Sequence, residues 1–374
     1  MARLALSMTL SIPADPMPTR RVALVGGLSV LASPACAVPG ANLRRAAAGA
    51  GRQFGAAIEP QHIEQDGDFA RLVQQQCGLL TAENAMKWNQ LRPSRDRFDF
   101  AQADRVAAIA AHNKVPMHGH CLVWHEANPD WLTHSLSPRN ARALLSGHIE
   151  TVVNRFAGRV TSWDVVNEAV ERNDRRPDGL RKSMWLQALG ADYLELAFRA
   201  AHAADPKARL ALADYGLEYD DEPWMVEKRG TMLILLRNLI SRGVPIHILA
   251  LQGHLLGDRP AAFGKGLSEF LSAVADLGLD VFITELDVND QNTPGSPSQR
   301  DQAAAEIYGR FLETVLRVPA VKSVVTWGLS DRYTSKSWFA PRADGATVRP
   351  LPFDRDLVAK PAVARMLRAF QSTR

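Results

Sequence analysis

Short apolar runs recur along the chain from residue 54 to residue 326. They are Phe54–Ala57, Leu79–Thr81, Met117–Val123, Val160–Val166, Leu210–Leu212, Ile246–Leu251, Val281–Thr284 and Val321–Thr326. Near-continuous apolarity over so few residues is the pattern of strands buried on both faces. Longer amphipathic segments separate them. In Asn140–Phe156 the residues Leu144, Leu145, His148, Ile149, Val152, Val153 and Phe156 fall at helical spacing. Met232, Leu235, Leu236, Leu239 and Ile240 repeat the pattern, as do Ile307, Phe311, Leu312 and Val315. Eight strand-then-helix units predict an α/β protein, a single (β/α)8 TIM barrel over residues 51–374. An open doubly wound sheet would want a glycine-rich phosphate loop after its first strand, and neither GxGxxG nor GxxxxGK[ST] occurs.

Polar residues enter at the same end of each run. The second is followed by Glu83, Asn84, Lys87 and Trp88, and the third by His120, Trp124 and His125. The fourth closes on Trp163, Asp164, Asn167 and Glu168, and the fifth on Asp214 and Tyr215. Gln252 and His254 follow the sixth, Glu285 and Asp287 the seventh, Trp327 and Asp331 the eighth. A barrel places its reactive groups where strands end. One strand-end glutamate alone would more often be a salt bridge or a helix cap; a recurrence at successive strand ends points to a site. Strands four and seven face each other across a barrel mouth, so Glu168 and Glu285 can meet over a small substrate. Glycoside hydrolysis needs such a pair, one acid for the leaving oxygen and one carboxylate to attack or to activate water. Asn167 is placed to donate to a sugar 2-hydroxyl. His254 and Asp287 are placed to orient Glu285. Trp124, Trp327 and Trp338 offer flat apolar faces of the kind sugar rings stack on.

The remaining composition narrows the reading. The formal charge of +4 is small for 374 residues, and in the first 37 Arg3, Arg20 and Arg21 outnumber Asp15. No basic tract of the kind nucleic-acid binding requires follows. Residues 1–37 combine Arg20-Arg21, a short apolar run and Ala35-Cys36-Ala37, the pattern of a cleaved signal peptide, perhaps of twin-arginine type, with Met17 an alternative start. This predicts a secreted or periplasmic protein with no membrane association after cleavage. Residues 38–50 are small and polar and predict a linker. Cys77 and Cys121 are expected as free buried thiols, although a disulfide between them stays open. His118-Gly-His120 is an HxH pair of the sort metal-dependent hydrolase barrels use, but such pairs end the first strand, not the third. No metal and no cofactor are therefore expected.

These segments resemble glycoside hydrolase family 10, the retaining endo-1,4-β-xylanases. The resemblance rests on Glu83-Asn84-Ala-Met-Lys87-Trp88, Gly119-His120-Cys-Leu-Val-Trp124-His125 and Trp163-Asp164-Val-Val-Asn167-Glu168, followed by Leu251-Gln252-Gly-His254, Ile283-Thr-Glu285-Leu-Asp287 and Trp327-Gly-Leu-Ser-Asp331. It implies cleavage of internal xylan bonds without a cofactor, Glu168 being the acid/base and Glu285 the nucleophile. It implies that Glu83, Asn84, Lys87, His120, Trp124, Asn167, Gln252, His254, Trp327 and Trp338 hold sugars on the non-reducing side, and that Tyr215 lines the other. Asp164, Asp287 and His125 would support them. The implied partner is xylan or a xylo-oligosaccharide, met by a monomer. Four positions depart from the family's habit: Ala127 replaces Gln, Ala213 replaces Asn, Cys121 replaces Thr and His118 replaces Arg. The stretch Asp331–Trp338 is also longer than usual, which leaves the place of Trp338 open. A β-1,4-glucanase on the same barrel and a xylan-binding pseudoenzyme remain the alternatives.

Overall fold

The computed structural model describes residues 42–373. The signal peptide expected over residues 1–37 lies outside the described residues. The eight expected strands are all present. They are β1 (Gln53–Ile58), β2 (Leu79–Ala82), β3 (Met117–Gly119), β4 (Val160–Asn167), β5 (Arg209–Asp214), β6 (Ile248–Leu251), β8 (Asp280–Asn289) and β9 (Val321–Thr326). A short ninth, β7 (His254–Leu256), lies between the sixth and seventh of these. All ladders are parallel, and β1 pairs with β2 on one side and β9 on the other while β6 pairs with β8, so the sheet closes. This is the (β/α)8 barrel that the spacing of apolar runs predicts.

The helices lie outside and bury the faces that the sequence marks. The helix Ala141–Phe156 buries Leu144, Leu145, His148, Ile149, Val152, Val153 and Phe156. The helix Pro297–Val315 opens on a capping box at Ser296 and Gln299 and buries Ile307, Phe311, Leu312 and Val315. Ala211, Ala213, Ile248, Ala250 and Phe282 form a separate apolar cluster, small residues from β5 and β6 leaving room for one ring from β8.

Three expectations change. The stretch 38–50 contains a helix, Leu43–Gly49, whose Asn42 side chain caps the Arg45 amide at 2.8 Å. Leu43, Ala46 and Ala47 are buried there, and the helix packs on β1 and on the C-terminal helix Pro361–Gln371. Small residues read as linker because their burial leaves no large apolar periodicity. The Arg52 guanidinium secures this corner through the Leu316 and Val321 carbonyls and Thr373 Oγ1, at 2.6, 3.0 and 3.2 Å. The second change is at β3, which leaves its ladder after Gly119 and rejoins at a single bridge between Val123 and Val166. The third is that Ala213 belongs to the buried barrel cluster, so that position packs and does not face a sugar.

Candidate active site

Local backbone geometry aims both glutamates. β8 pairs with β6 up to Ile283 opposite Leu251, then with β7 from Asp287 opposite His254. Its register against β9 shifts between Ile283 and Leu286. Glu285 sits in that irregularity, where a bulge re-aims a side chain. Glu168 follows the last residue of β4 with φ of +59°, in the left-handed region that costs a non-glycine residue about 1–2 kcal/mol. Its amide donates to the Ala213 carbonyl at 2.7 Å, which holds the turn.

Gln252 touches both glutamate residues, one through its side chain and one through its backbone. Its side-chain nitrogen donates to Glu168 Oε1 at 3.0 Å and to Asn167 Oδ1 at 3.2 Å, while its backbone carbonyl accepts the Glu285 backbone amide at 2.8 Å.

Around Glu285 the groups are buried and charged. His254 Nε2 lies 3.2 Å from Glu285 Oε2, and His254 Nδ1 lies 3.1 Å from Asp287 Oδ2. Burial works against a proton on His254, but Asp287 outweighs it and pushes the ring up to about 9. Burial likewise works against charge on Asp287, yet Lys336 and His254 hold its carboxyl below the usual range. On the opposite side His120 Nδ1 is 3.0 Å from Asp164 Oδ2 and 3.8 Å from Glu285 Oε1. Asp164 also receives His118 Nε2 at 3.0 Å, and the other His118 nitrogen meets Ser162. Burial would raise the Asp164 carboxyl, but the two imidazoles bring it well below the usual range. His118 thus serves Asp164, which answers the HxH alternative. No group of three or more His, Cys, Asp or Glu among the described residues is arranged to hold a metal ion.

The wall beyond β2 carries Asn84, Lys87 and Glu83. Lys87 Nζ donates to Asn84 Oδ1 at 2.8 Å, and Asn84 donates to Glu59 at 2.7 Å. Lys87 stands over the Trp124 and Trp327 rings, 5.2 and 5.8 Å from their centroids. His120 meets the Trp327 ring edge-on at 5.1 Å. Burial, reinforced by Glu59, pushes the Glu83 carboxyl up to about 7.

Around Glu168 the chemistry differs. Arg181 donates to the Glu168 carbonyl at 2.8 Å and to Tyr215 Oη at 3.0 Å, and reaches Glu171 at 3.1 Å. Tyr215 donates to Glu171 at 2.9 Å. His125 Nδ1 lies 3.7 Å from Glu168 Oε2. Burial, then the Arg181 charge, lowers the His125 ring from its ordinary value.

Fifteen of the sixteen residues predicted for the site therefore converge: Glu83, Asn84, Lys87, His120, Trp124, His125, Asp164, Asn167, Glu168, Tyr215, Gln252, His254, Glu285, Asp287 and Trp327. Trp338 does not join them. It is 82 % exposed, because its short helix Lys336–Phe339 turns Lys336 inward. Sequence reasoning missed Glu59, Glu171, Arg181 and Lys336. None of them ends an apolar run except Glu59, directly after β1, which the strand-end rule would have found. Asp331, which does follow β9, is structural: it accepts the Leu351 amide and Lys360 at 2.9 and 3.0 Å. Cys77 and Cys121 are free and buried.

With this geometry in hand, the sequence model of Glycosyl hydrolase family 10 matches residues 42–369. The chain belongs to that family. Family 10 relatives include endo-1,4-beta-xylanase B of Thermotoga neapolitana, 35 % identical over 298 residues that span 78 % of this chain and 80 % of that protein. A thermostable celloxylanase of Thermoclostridium stercorarium is 34 % identical, over 83 % of this chain and 82 % of its own. Native xylanase 10B of Thermotoga maritima superposes with a TM-score of 0.79 at 30 % identity, covering 88 % of this chain and 98 % of its own. Xylanase 10B of Thermotoga petrophila, solved with xylobiose, also gives 0.79 at 30 % identity, covering 88 % and 97 %.

Proposed function

We propose that this family 10 glycoside hydrolase is an endo-1,4-β-xylanase that works with retention of configuration. The observation that carries this reading is the pairing of two strand-end glutamates of unlike surroundings, the Glu168 carboxylate held by the Gln252 side chain and the Glu285 carboxylate held between His254 and His120. Glu285, flanked by His254 and His120, is the nucleophile. Glu168, beside Arg181, Tyr215 and His125 on the leaving-group side, is the acid/base.

The steps follow from those roles. Glu285 attacks the anomeric carbon of the sugar over Trp327 while Glu168 gives its proton to the departing glycosidic oxygen, and the carbon–oxygen bond breaks. A covalent glycosyl-enzyme remains. Glu168, now a carboxylate, takes a proton from water, the water oxygen bonds to the anomeric carbon, and Glu285 leaves. Proton NMR of the first product tests this directly. The β-anomer should appear before mutarotation, and early α-product would refute retention.

A second reading, activity on β-1,4-glucan, is favoured by the outward Trp338, which leaves the site without that ring. Comparing rates on beechwood xylan and carboxymethylcellulose decides it; a higher rate on the cellulose derivative would replace the xylanase assignment. The Arg20-Arg21 leader and Ala35-Cys36-Ala37 support export, which N-terminal sequencing of the mature protein checks. Among the described residues no helix is long and apolar enough to cross a membrane. We take the working enzyme to be a monomer, to be measured by light scattering.

A further inference from the structure

The helical turn Lys336–Phe339 is built inside out. Trp338 and Phe339 are 82 % and 65 % exposed, whereas Lys336 is 6 % exposed. Burying an ammonium costs several kcal/mol unless an anion receives it, and turning two rings outward adds to that cost. The receiver is Asp287: Lys336 Nζ lies 2.8 Å from its Oδ2. The same oxygen is 3.1 Å from His254 Nδ1, and His254 Nε2 is 3.2 Å from Glu285. Lys336, Asp287, His254 and Glu285 thus form a line of alternating charge that ends on the nucleophile. Lys336 is no part of the family resemblance, and no strand-end pattern marks it.

We propose that Lys336 is a positioning residue for the nucleophilic step, holding the Asp287 carboxylate ionised and in place so that the His254 imidazolium stays aligned on Glu285. This rests on Glu285 being the nucleophile. Other charged groups face the line from every side. His120 and Asp164 come from the β3 and β4 ends, and Glu83, Lys87 and Glu59 from beyond β2 and β1. Glu218 accepts the Gly253 amide at 3.1 Å beside His254, and the charges of Asp331 and Asp287 both bear on Tyr308. With Asp331 already paired to Lys360, the remaining acids still exceed the permanent cations, Lys87 and Lys336, so loss of one cation is not made good locally. Without Lys336, Asp287 repels charge on Glu285 more strongly, and the nucleophile becomes harder to ionise.

The test compares Lys336→Gln and Lys336→Met with the charge-keeping Lys336→Arg, each first checked for a cooperative melt. In whichever neutral variant folds, the acidic limb of the kcat/KM profile should move up by about 0.5–1 pH unit, with the basic limb unmoved. Trapping with a 2-deoxy-2-fluoro xylobioside should slow several-fold below the new limb. Lys336→Arg should keep the acidic limb of the unmodified enzyme. A folded neutral variant with an unmoved acidic limb overturns the proposal, as does an Arg variant shifted as far as the neutral ones. Peptide mapping of the trapped unmodified enzyme separates the two claims. A label on a residue other than Glu285 refutes the nucleophile assignment, whatever Lys336 does.

Discussion

Glu168 and Glu285 are chemically the same side chain, and their surroundings divide the work. Glu285 faces two histidines held by buried aspartates. The Glu168 carboxylate hydrogen-bonds the Gln252 side chain, with Arg181 and His125 each 3.7 Å from its other oxygen. Glu168→Ala should lower kcat/KM on xylan by about 10²–10⁴-fold, and much less on an aryl xylobioside whose leaving group needs no proton, while kcat falls on both because the second step loses its base. Steady-state rates on the two substrates check this. Azide added to Glu168→Ala should yield the β-glycosyl azide, and added to Glu285→Ala the α-azide, which NMR distinguishes. The pair was legible in the sequence because polar residues recur at successive strand ends, where a lone glutamate would pass for a salt bridge or a cap. Lys336 was not. A lysine within Ser-Lys-Ser-Trp looks like surface, and only the fold reveals that it, and not the tryptophan, turns inward.

At the scale of elements, the strand ends hold the site only where neighbouring backbones can approach closely. A Cβ at Gly119 would stand 2.2 Å from the Trp163 ring. Gly119→Ala forces that ring or β3 itself to move, costing about 1–3 kcal/mol and carrying His120 away from Asp164 and Glu285. Urea unfolding should show the loss of stability, and kcat should fall with it. The helix Leu43–Gly49 belongs to the barrel: Leu43→Ala should cost about 2–5 kcal/mol, read from the same unfolding curves, with KM unchanged. This helix escaped sequence reading because Ala46 and Ala47 bury well without looking apolar in periodicity. β7 escaped because three residues carry no period, yet its pairing with β8 beyond Ile283 sets the direction of Glu285. The eight barrel strands were plain because each is buried on both faces and cannot hide among polar neighbours.

For the whole molecule, the charged site links stability to pH. His254 keeps its proton up to about 9 in the folded protein, against 6.5 when free. Its contribution is complete below the unfolded value and fades as pH rises through the folded one. With the ring 31 % exposed and so partly screened, the loss between pH 6.5 and 9 should be on the order of 1–2 kcal/mol. A series of melts across that interval should slope downward, and His254→Gln should flatten the slope. Because the two carboxylates and their partners supply the acid, base and nucleophile, dialysis against EDTA should leave hydrolysis intact; a loss reversed by added metal would require another mechanism. The corner held by Arg52 also has a practical meaning. It draws Thr373 against the start of β1, on the side of the barrel away from the strand ends and their carboxylates. A bead, a surface or a second module attached at the carboxyl end would therefore stand behind the enzyme, leaving the catalytic face free to travel along an insoluble polymer.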